Sequence, residues 1–406
     1  MGASDELDDV LDGLRAFLRS EVDTRHEQHA AVLDHPHRSH RADGRYHDDA
    51  LRLMREVRTA SAAAGYYSML SPTSVGGAGL GYEALYRSWE VIFRHCGSRR
   101  WLGWYALAHW TKGPSPVLAH LPERVRERYL PSLISGEHTM CFAMSEPDAG
   151  SDAWRMRTRA ARVDGGWAIS GEKQWISNAA HAEYAVVFAV DDPEAASRRS
   201  GGVTAFFVPV DSVGFTVTSV IPMFGHAGSN EGIIQMQDVF VPDDHVIGEV
   251  GRGFPIAMAG VSLGRLYNAA KGVGLGRWAL QQACDYAQER EAFGTHLSSF
   301  QGVTFPLAQS ASELHAAWLV GLDCARRLDA GTGGRTELSM AKLLSTELGL
   351  QAVDRSMQAH GAMGFTNELG LAEAWQQLRA VCVADGSSEV LKRQIWQSVA
   401  HDGVVV

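Results

Sequence analysis

"CFAMSEPDAGSD", residues 141–152, is where this chain changes character. Cys141 to Met144 are apolar and read as a strand. The Pro-Asp-Ala-Gly-Ser stretch reads as a loop, whose glycine and serines present N–H groups and hydroxyls to a polar ligand edge. On the N-terminal side the apolar spacing is helical: "LDDVLDGLRAFLRSEV", "DDALRLMREVRTASAAAG", "YEALYRSWEVIFRHCG" and "PERVRERYLPSLISGE" place apolar residues three and four apart. On the C-terminal side, to about residue 245, come strand-length runs rich in Val, Ile and Phe, broken by Gly, Asp and Pro: "RTRAARV", "GWAISG", "YAVVFAV", "VTAFFVPV", "FTVTSV" and "GIIQMQDVFVP". Their regular spacing suggests a compact antiparallel barrel or sandwich.

After "GEVGRGF" the helical pattern returns in long stretches. "RLYNAAKGVGLGRWALQQACDYAQERE", "LAQSASELHAAWLVGLDCARRLDAG", "ELSMAKLLSTELGLQAVDRSMQAHG" and "SEVLKRQIWQSVA" read as four helices of a bundle. The fold class is therefore α+β. The expected division is an N-terminal α-helical domain over 1–136, a middle antiparallel β domain over 137–247 and a C-terminal four-helix bundle over 248–406. No internal repeat or low-complexity tract is visible. "GVGLGR" (272–277) hints at a dinucleotide-binding glycine motif but lies inside a helical run, so a Rossmann reading fails its own context.

The chain has 406 residues, 45% hydrophobic and 21% charged, with a formal net charge of −10. That length suits two or three domains, and the charge argues against nucleic acid or an anionic membrane surface as partner. The first twenty residues are acidic and amphipathic, unlike a signal or transit peptide, and no apolar run is long enough to span a membrane. Five scattered cysteines (Cys96, Cys141, Cys284, Cys324, Cys382) fit reduced thiols in a cytoplasmic protein. The histidine cluster holding His26, His29, His35 and His37 lacks zinc spacing, so it reads as a solvated loop between helices and no metal is expected.

Four motifs in order carry a resemblance: "CFAMSEPDAGSD", "GEKQWISNA" (171–179), "QEREAFGTHLSSFQ" (288–301) and "QAHGAMGF" (358–365). On residue chemistry alone each has a plain structural reading. Trp175 is an ordinary core indole, Arg290 a helix-terminal cation, and Gly361 a helix breaker. Taken together across nearly the whole chain, they resemble the acyl-CoA dehydrogenase family of flavoproteins. The resemblance implies FAD as cofactor, with Phe142, Ser145, Ser151, Trp175 and Ser177 along the flavin ring. It also implies that Arg290, Phe293 and Gln301 contact the pyrophosphate and adenosine of a flavin held by a neighbouring subunit, hence a homotetramer or homodimer. Gln358 and Gly361 are implied pyrophosphate neighbours, although the family's Gly-Gly pair is here Gly361-Ala362.

The same resemblance implies removal of the α-proton of an acyl thioester by a carboxylate while the β-hydrogen leaves as hydride to flavin N5. Most members place a Glu at the position 27 residues after Gln358, where this chain has Asp385 in "VCVADGSSE" (381–389). Others use a Glu on an earlier helix, and its match here is Gly264. Asp385 is thus the one carboxylate at either base position, as in the Asp-bearing subgroups, and it is one methylene shorter than Glu. Its other reading is simple Asp-Gly turn chemistry. Ser387 and Ser388 suit a helix N-cap compatible with flavin contact by Ser387 and Glu389. Arg265, Gly386 and Trp104 are the implied substrate-side residues.

Trp101, Trp104 and Trp110 in "RRWLGWYALAHW" suit a short, branched or ring-bearing acyl group, or are ordinary core aromatics. The thioester is on CoA or on a carrier protein, and an electron-transfer flavoprotein is the implied acceptor. Two alternatives stay open: an acyl-CoA or nitroalkane oxidase on the same scaffold, and a non-catalytic flavin or acyl-CoA binder.

Overall fold

A computed structural model describes residues 3–34, 36–223 and 231–403. The chain divides into two compact units. One comprises Met1–Gln28, Leu80–Trp104 and Ser262–Val406, and the other His29–Gly79 and Tyr105–Val261.

The second unit is built on an eight-stranded sheet: β1 Met140–Ala143, β2 Arg159–Val163, β3 Gly166–Ser177, β4 Tyr184–Val190, β5 Val203–Pro209, β6 Phe215–Val220, β7 Glu231–Pro242 and β8 Val246–Ile247. The strand order is β6-β7-β3-β2-β4-β5-β8, with β1 branching onto β4. β4 and β5 are continuous apolar runs because both their faces are covered. Val186, Phe188, Val203, Ala205 and Phe207 enter one core with Val125, Leu130 and Leu133 of the helix Glu123–Ile134. Ala185, Val187, Ala189, Phe206 and Val208 enter another core with Ile169, Ile234 and Val239. The expectation of a wholly antiparallel sheet needs correction. β1 pairs with β4 in parallel, Met140 opposite Tyr184 through Ala143 opposite Val187, and β2 meets β4 in parallel at Arg159 and Val190. The long connection between β1 and β4 makes the parallel pairing possible.

The other unit is helical. Gly81–Cys96, the Ser262–Glu289 part of the helix Gly253–Glu289, Gln301–Asp329, Arg335–His360, Leu371–Val381 and Ser388–Asp402 are its main helices. Leu371–Val381 is a further helix beyond the four expected; it starts from Gly370 in a left-handed conformation. The glycines of "GVGLGR" lie within helix, and Gly272 shows why they are there. A Cβ on Gly272 would stand 2.2 Å from the Ser345 carbonyl oxygen, so the helix can touch Arg335–His360 backbone to backbone only without a side chain there.

The histidine-rich stretch also differs from expectation. Residues 24–28 and 30–33 form short helices rather than a solvated loop, and His26 is buried, with its Nε2 accepting from Leu102 N–H at 3.2 Å. His35 lies outside the described residues, as do the side-chain surroundings of His37. Among the described residues no helix is long and apolar enough to cross a membrane.

Candidate active site

In the sheet unit, β1 leads into the loop of the first motif, and a buried ion pair braces it. Lys173 Nζ lies 2.8 Å from Glu146 Oε1 and donates to the Met144 carbonyl at 3.1 Å. Glu146 also accepts from the backbone N–H groups of Arg157 and Thr158. The Lys173 charge and these hydrogen bonds hold the Glu146 carboxyl below its usual range against the opposing effect of burial. Sequence reasoning missed both residues; a Lys at an inward position of a β-strand was the available signal. Ser145 is tied to the same strand by Gln174 N–H, which donates to its carbonyl at 2.9 Å.

Two residues on from Lys173 the β3–β7 register breaks, and Trp175 sits in this bulge at φ 65°. A bulky residue in the left-handed region is uncommon. The bulge leaves the indole 50% exposed, so Trp175 is not the ordinary core residue that its type suggests. Ser177 follows on the strand, donating to Glu231 Oε1 at 3.2 Å. Ser151 is exposed in the loop. Phe142 is packed in the core, its ring 4.8 Å from Trp110 and 4.9 Å from Phe188. Any part it plays toward a ligand therefore falls to its backbone.

In the helical unit, the helix Gly253–Glu289 ends one residue before Arg290. A hairpin follows, Glu291–Ala292 against Thr295–His296, with Phe293 and Gly294 as its two-residue loop at φ 54° and 82°. Positive φ at both loop positions matches the right-handed twist of the hairpin arms. The Phe293 side chain is 97% exposed. Arg290, Gln358 and Gly361 line one cavity of about 720 Å³, together with Tyr286, Arg355 and His360. Gln301, exposed, begins the next helix.

The third group surrounds the Asp-Gly turn. Asp385 has φ 53° and Gly386 φ 100°. Two cations from two helices hold this turn by its carbonyls: Arg265 Nε donates to Asp385 O at 3.1 Å and Lys342 Nζ to Gly386 O at 2.8 Å. Asn268 Nδ2 donates to Asp385 Oδ2 at 2.8 Å. Asp385 is half-buried by surface area, yet burial is the largest influence on its carboxyl and pushes its pKa up. The Lys342 and Arg265 charges and the Asn268 hydrogen bond work the other way. Burial lowers Lys342 to about 8. Ser387 caps the helix Ser388–Asp402 by accepting from Val390 N–H at 3.4 Å, and Glu389 is exposed in its first turn. Neither the Asp385 nor the Gly386 N–H has a hydrogen-bond partner among the described residues.

Arg265 and Gly386 thus stand beside Asp385, whereas Trp104 is committed to packing. Its ring lies 5.7 Å from Phe93 and under Lys271, and its Nε1 donates to Gly97 O at 3.1 Å. Asn268 and Lys342 went unread in the sequence because nothing in helical spacing distinguishes them from surface polar residues.

Comparison with known proteins points to one family. Three domain profiles match in order: the acyl-CoA dehydrogenase N-terminal domain over residues 4–137, middle domain over 141–239 and C-terminal domain over 251–400. The human mitochondrial short-chain specific acyl-CoA dehydrogenase is 32% identical over 326 residues, covering 80% of this chain and 78% of its own. The caffeyl-CoA reductase-Etf complex subunit CarC of Acetobacterium woodii is 30% identical over 335 residues, covering 82% and 87%. Among solved structures, a putative acyl-CoA dehydrogenase from Mycobacterium abscessus superposes with a TM-score of 0.85 at 25% identity, covering 98% of this chain and 99% of that one.

Proposed function

The chain belongs to the acyl-CoA dehydrogenase family, and from that premise we propose that it carries out FAD-dependent α,β-dehydrogenation of an acyl thioester, with Asp385 as the base. The observation that carries this reading is the Asp385 carboxyl itself. It is the carboxylate of the "ADGSS" turn, its basicity is raised by burial, and Oδ1 carries no hydrogen bond among the described residues. A base of raised pKa with one free oxygen suits removal of a weakly acidic C–H proton.

The residues present fit a flavin. A half-exposed indole held at a bulge offers a stacking face, and the cavity with Arg290 and Gln358 offers a guanidinium to a pyrophosphate. In this reading Ser145, Ser151, Trp175 and Ser177 line the ring, with Phe142 backbone beside them. Arg290, Phe293, Gln301, Gln358 and Gly361 serve the pyrophosphate and adenosine, and Ser387 and Glu389 lie at the mouth of the last helix. Bound FAD supplies the acceptor for the β-hydride.

The chain's own work is at the α-carbon. Asp385 Oδ1 takes the α-proton, and the unpaired N–H groups of Asp385 and Gly386 are donors for the charge that develops on the thioester oxygen. Arg265 and Lys342 hold the turn that presents them.

The similarity to the caffeyl-CoA reductase-Etf subunit supports an electron-transfer flavoprotein as redox partner. The bare Phe293 ring supports a homo-oligomer, dimer or tetramer, in which Arg290 and Phe293 meet the flavin of the neighbouring copy. We place the protein in a reducing compartment such as the cytoplasm, on its free thiols. Anaerobic addition of butyryl-, isovaleryl- and 3-phenylpropionyl-CoA to the flavin-loaded protein tests the reading, which requires bleaching by at least one. Rapid oxygen consumption with peroxide release during turnover would make it an oxidase instead.

A further inference from the structure

We propose that Asn268 is the positioning residue for Asp385: it holds Oδ2 so that Oδ1 alone is left to receive the proton. This inference rests on the assignment of Asp385 as the base. Asp385 is itself a left-handed turn residue at φ 53°, and its side chain has two torsions with which to aim a carboxyl shorter than Glu by one methylene. The two cations of the site do not aim it. Arg265 spends its Nε on the Asp385 carbonyl and its Nη1 on Gln394 Oε1 at 3.0 Å, and Lys342 spends its Nζ on the Gly386 carbonyl. Among the described residues the carboxyl makes no ion pair, and its one hydrogen bond is the 2.8 Å contact from Asn268 Nδ2.

A neutral amide is suited to this. It orients one oxygen without the deep stabilisation of the anion that a guanidinium at contact distance would give, which would weaken the base. Asn268 lies one helical turn after Arg265 on the helix Gly253–Glu289, so one helix face supplies both the clamp on the turn and the donor to the carboxyl. In the step itself the α-C–H bond breaks and the Oδ1–H bond forms. The electron pair, spread onto the thioester carbonyl as charge develops, closes the Cα–Cβ double bond, and the β-hydrogen with its pair would go to the acceptor that bound FAD would supply.

The test compares the flavin-loaded wild type with Asn268→Leu and Asn268→Gln. Infrared titration of protein carrying carboxyl-labelled aspartate, with Asp385→Asn identifying the band, reads the carboxyl directly and needs no turnover. The charged and titratable groups facing the carboxyl are Arg265 and Lys342, with Arg335 beyond Arg265 and Cys382 and Glu347 beyond Lys342. The Asn268 hydrogen bond favours the ionised form, so its removal raises the Asp385 pKa. In Asn268→Leu the Asp385 band then titrates at higher pH. The acid limb of the flavin-reduction rate with butyryl-CoA moves the same way, and the rate at neutral pH falls about tenfold. Asn268→Gln restores part of both.

An Asp385 band titrating as in wild type overturns the inference, whatever the enzyme turns over. So does a loss of melting temperature and flavin content with no change in the titration, since that is what a merely structural residue gives. If the band moves while no acyl-CoA reduces the wild-type flavin, Asn268 still positions Asp385 and the functional reading alone fails.

Discussion

Lys173 and Glu146 form a fully buried ion pair at 2.8 Å beneath the loop of the first motif. The pair joins β3 to the end of β1, and through Glu146 it also gathers the N–H groups of Arg157 and Thr158. Removing one partner leaves an uncompensated charge in the interior. Lys173→Met is expected to destabilise the protein by about 3–5 kcal/mol. The double variant with Glu146→Gln should recover a large share, because Gln can keep one backbone hydrogen bond. Urea unfolding of the two single variants and the double variant measures this coupling.

Trp175 stands in a left-handed bulge position and half its surface is bare. Replacing it with Gly removes backbone strain but adds unfolded-state freedom, so stability should change by less than about 1 kcal/mol. Flavin retention should nevertheless fall sharply on gel filtration. A core role would give the opposite pattern, with large destabilisation and cofactor retained.

Phe293 loses almost nothing if truncated within its own chain, being 97% exposed. Asn is at ease at positive φ, so Phe293→Asn should leave the unfolding midpoint unchanged or slightly higher. It should also weaken the assembly seen by light scattering and lower flavin content. Unchanged assembly and flavin content would remove the role assigned to this ring.

Burial and nearby arginines lower both His26 and His181 to about 4. Each uses Nε2 as an acceptor, from Leu102 N–H at 3.2 Å and from Tyr46 N–H at 3.4 Å. The unfolded chain binds these protons near pH 6.5 and the folded chain does not, so their contribution is intact above that pH and is lost as pH falls toward 4. Lys342, lowered from 10.5 to about 8, acts at the other end: stability rises with pH between those values. Urea midpoints should therefore fall between pH 6.5 and 4, with a shallower fall in His26→Gln. The rise between pH 8 and 10.5 should be shallower in Lys342→Met.

Much of this was legible in the sequence because it rests on local pattern. The unbroken runs of β4 and β5 announce strands covered on both faces, and Asp-Gly-Ser-Ser announces a turn and a cap. The parallel pairing of β1 with β4 was not legible, since strand direction is decided by a long crossover. Leu371–Val381 is short and opens on Gly370 without a side-chain cap, which hid it. The glycines of 272–277 read as part of a helical run, but only the neighbouring helix supplies the reason for Gly272. Asn268 and Lys342 acquire a role only where their helices and the Asp385 turn come together, and no spacing along one helix encodes that meeting.

The central claim is that Asp385 is the base. Flavin-loaded Asp385→Asn keeps the shape of the turn and the Gly386 carbonyl contact but has no basic oxygen. Stopped-flow reduction by the best of the three acyl-CoAs, without oxygen, should be slower by about 10²–10⁴-fold, with flavin content and melting temperature near wild type. Reduction at the wild-type rate would contradict the account.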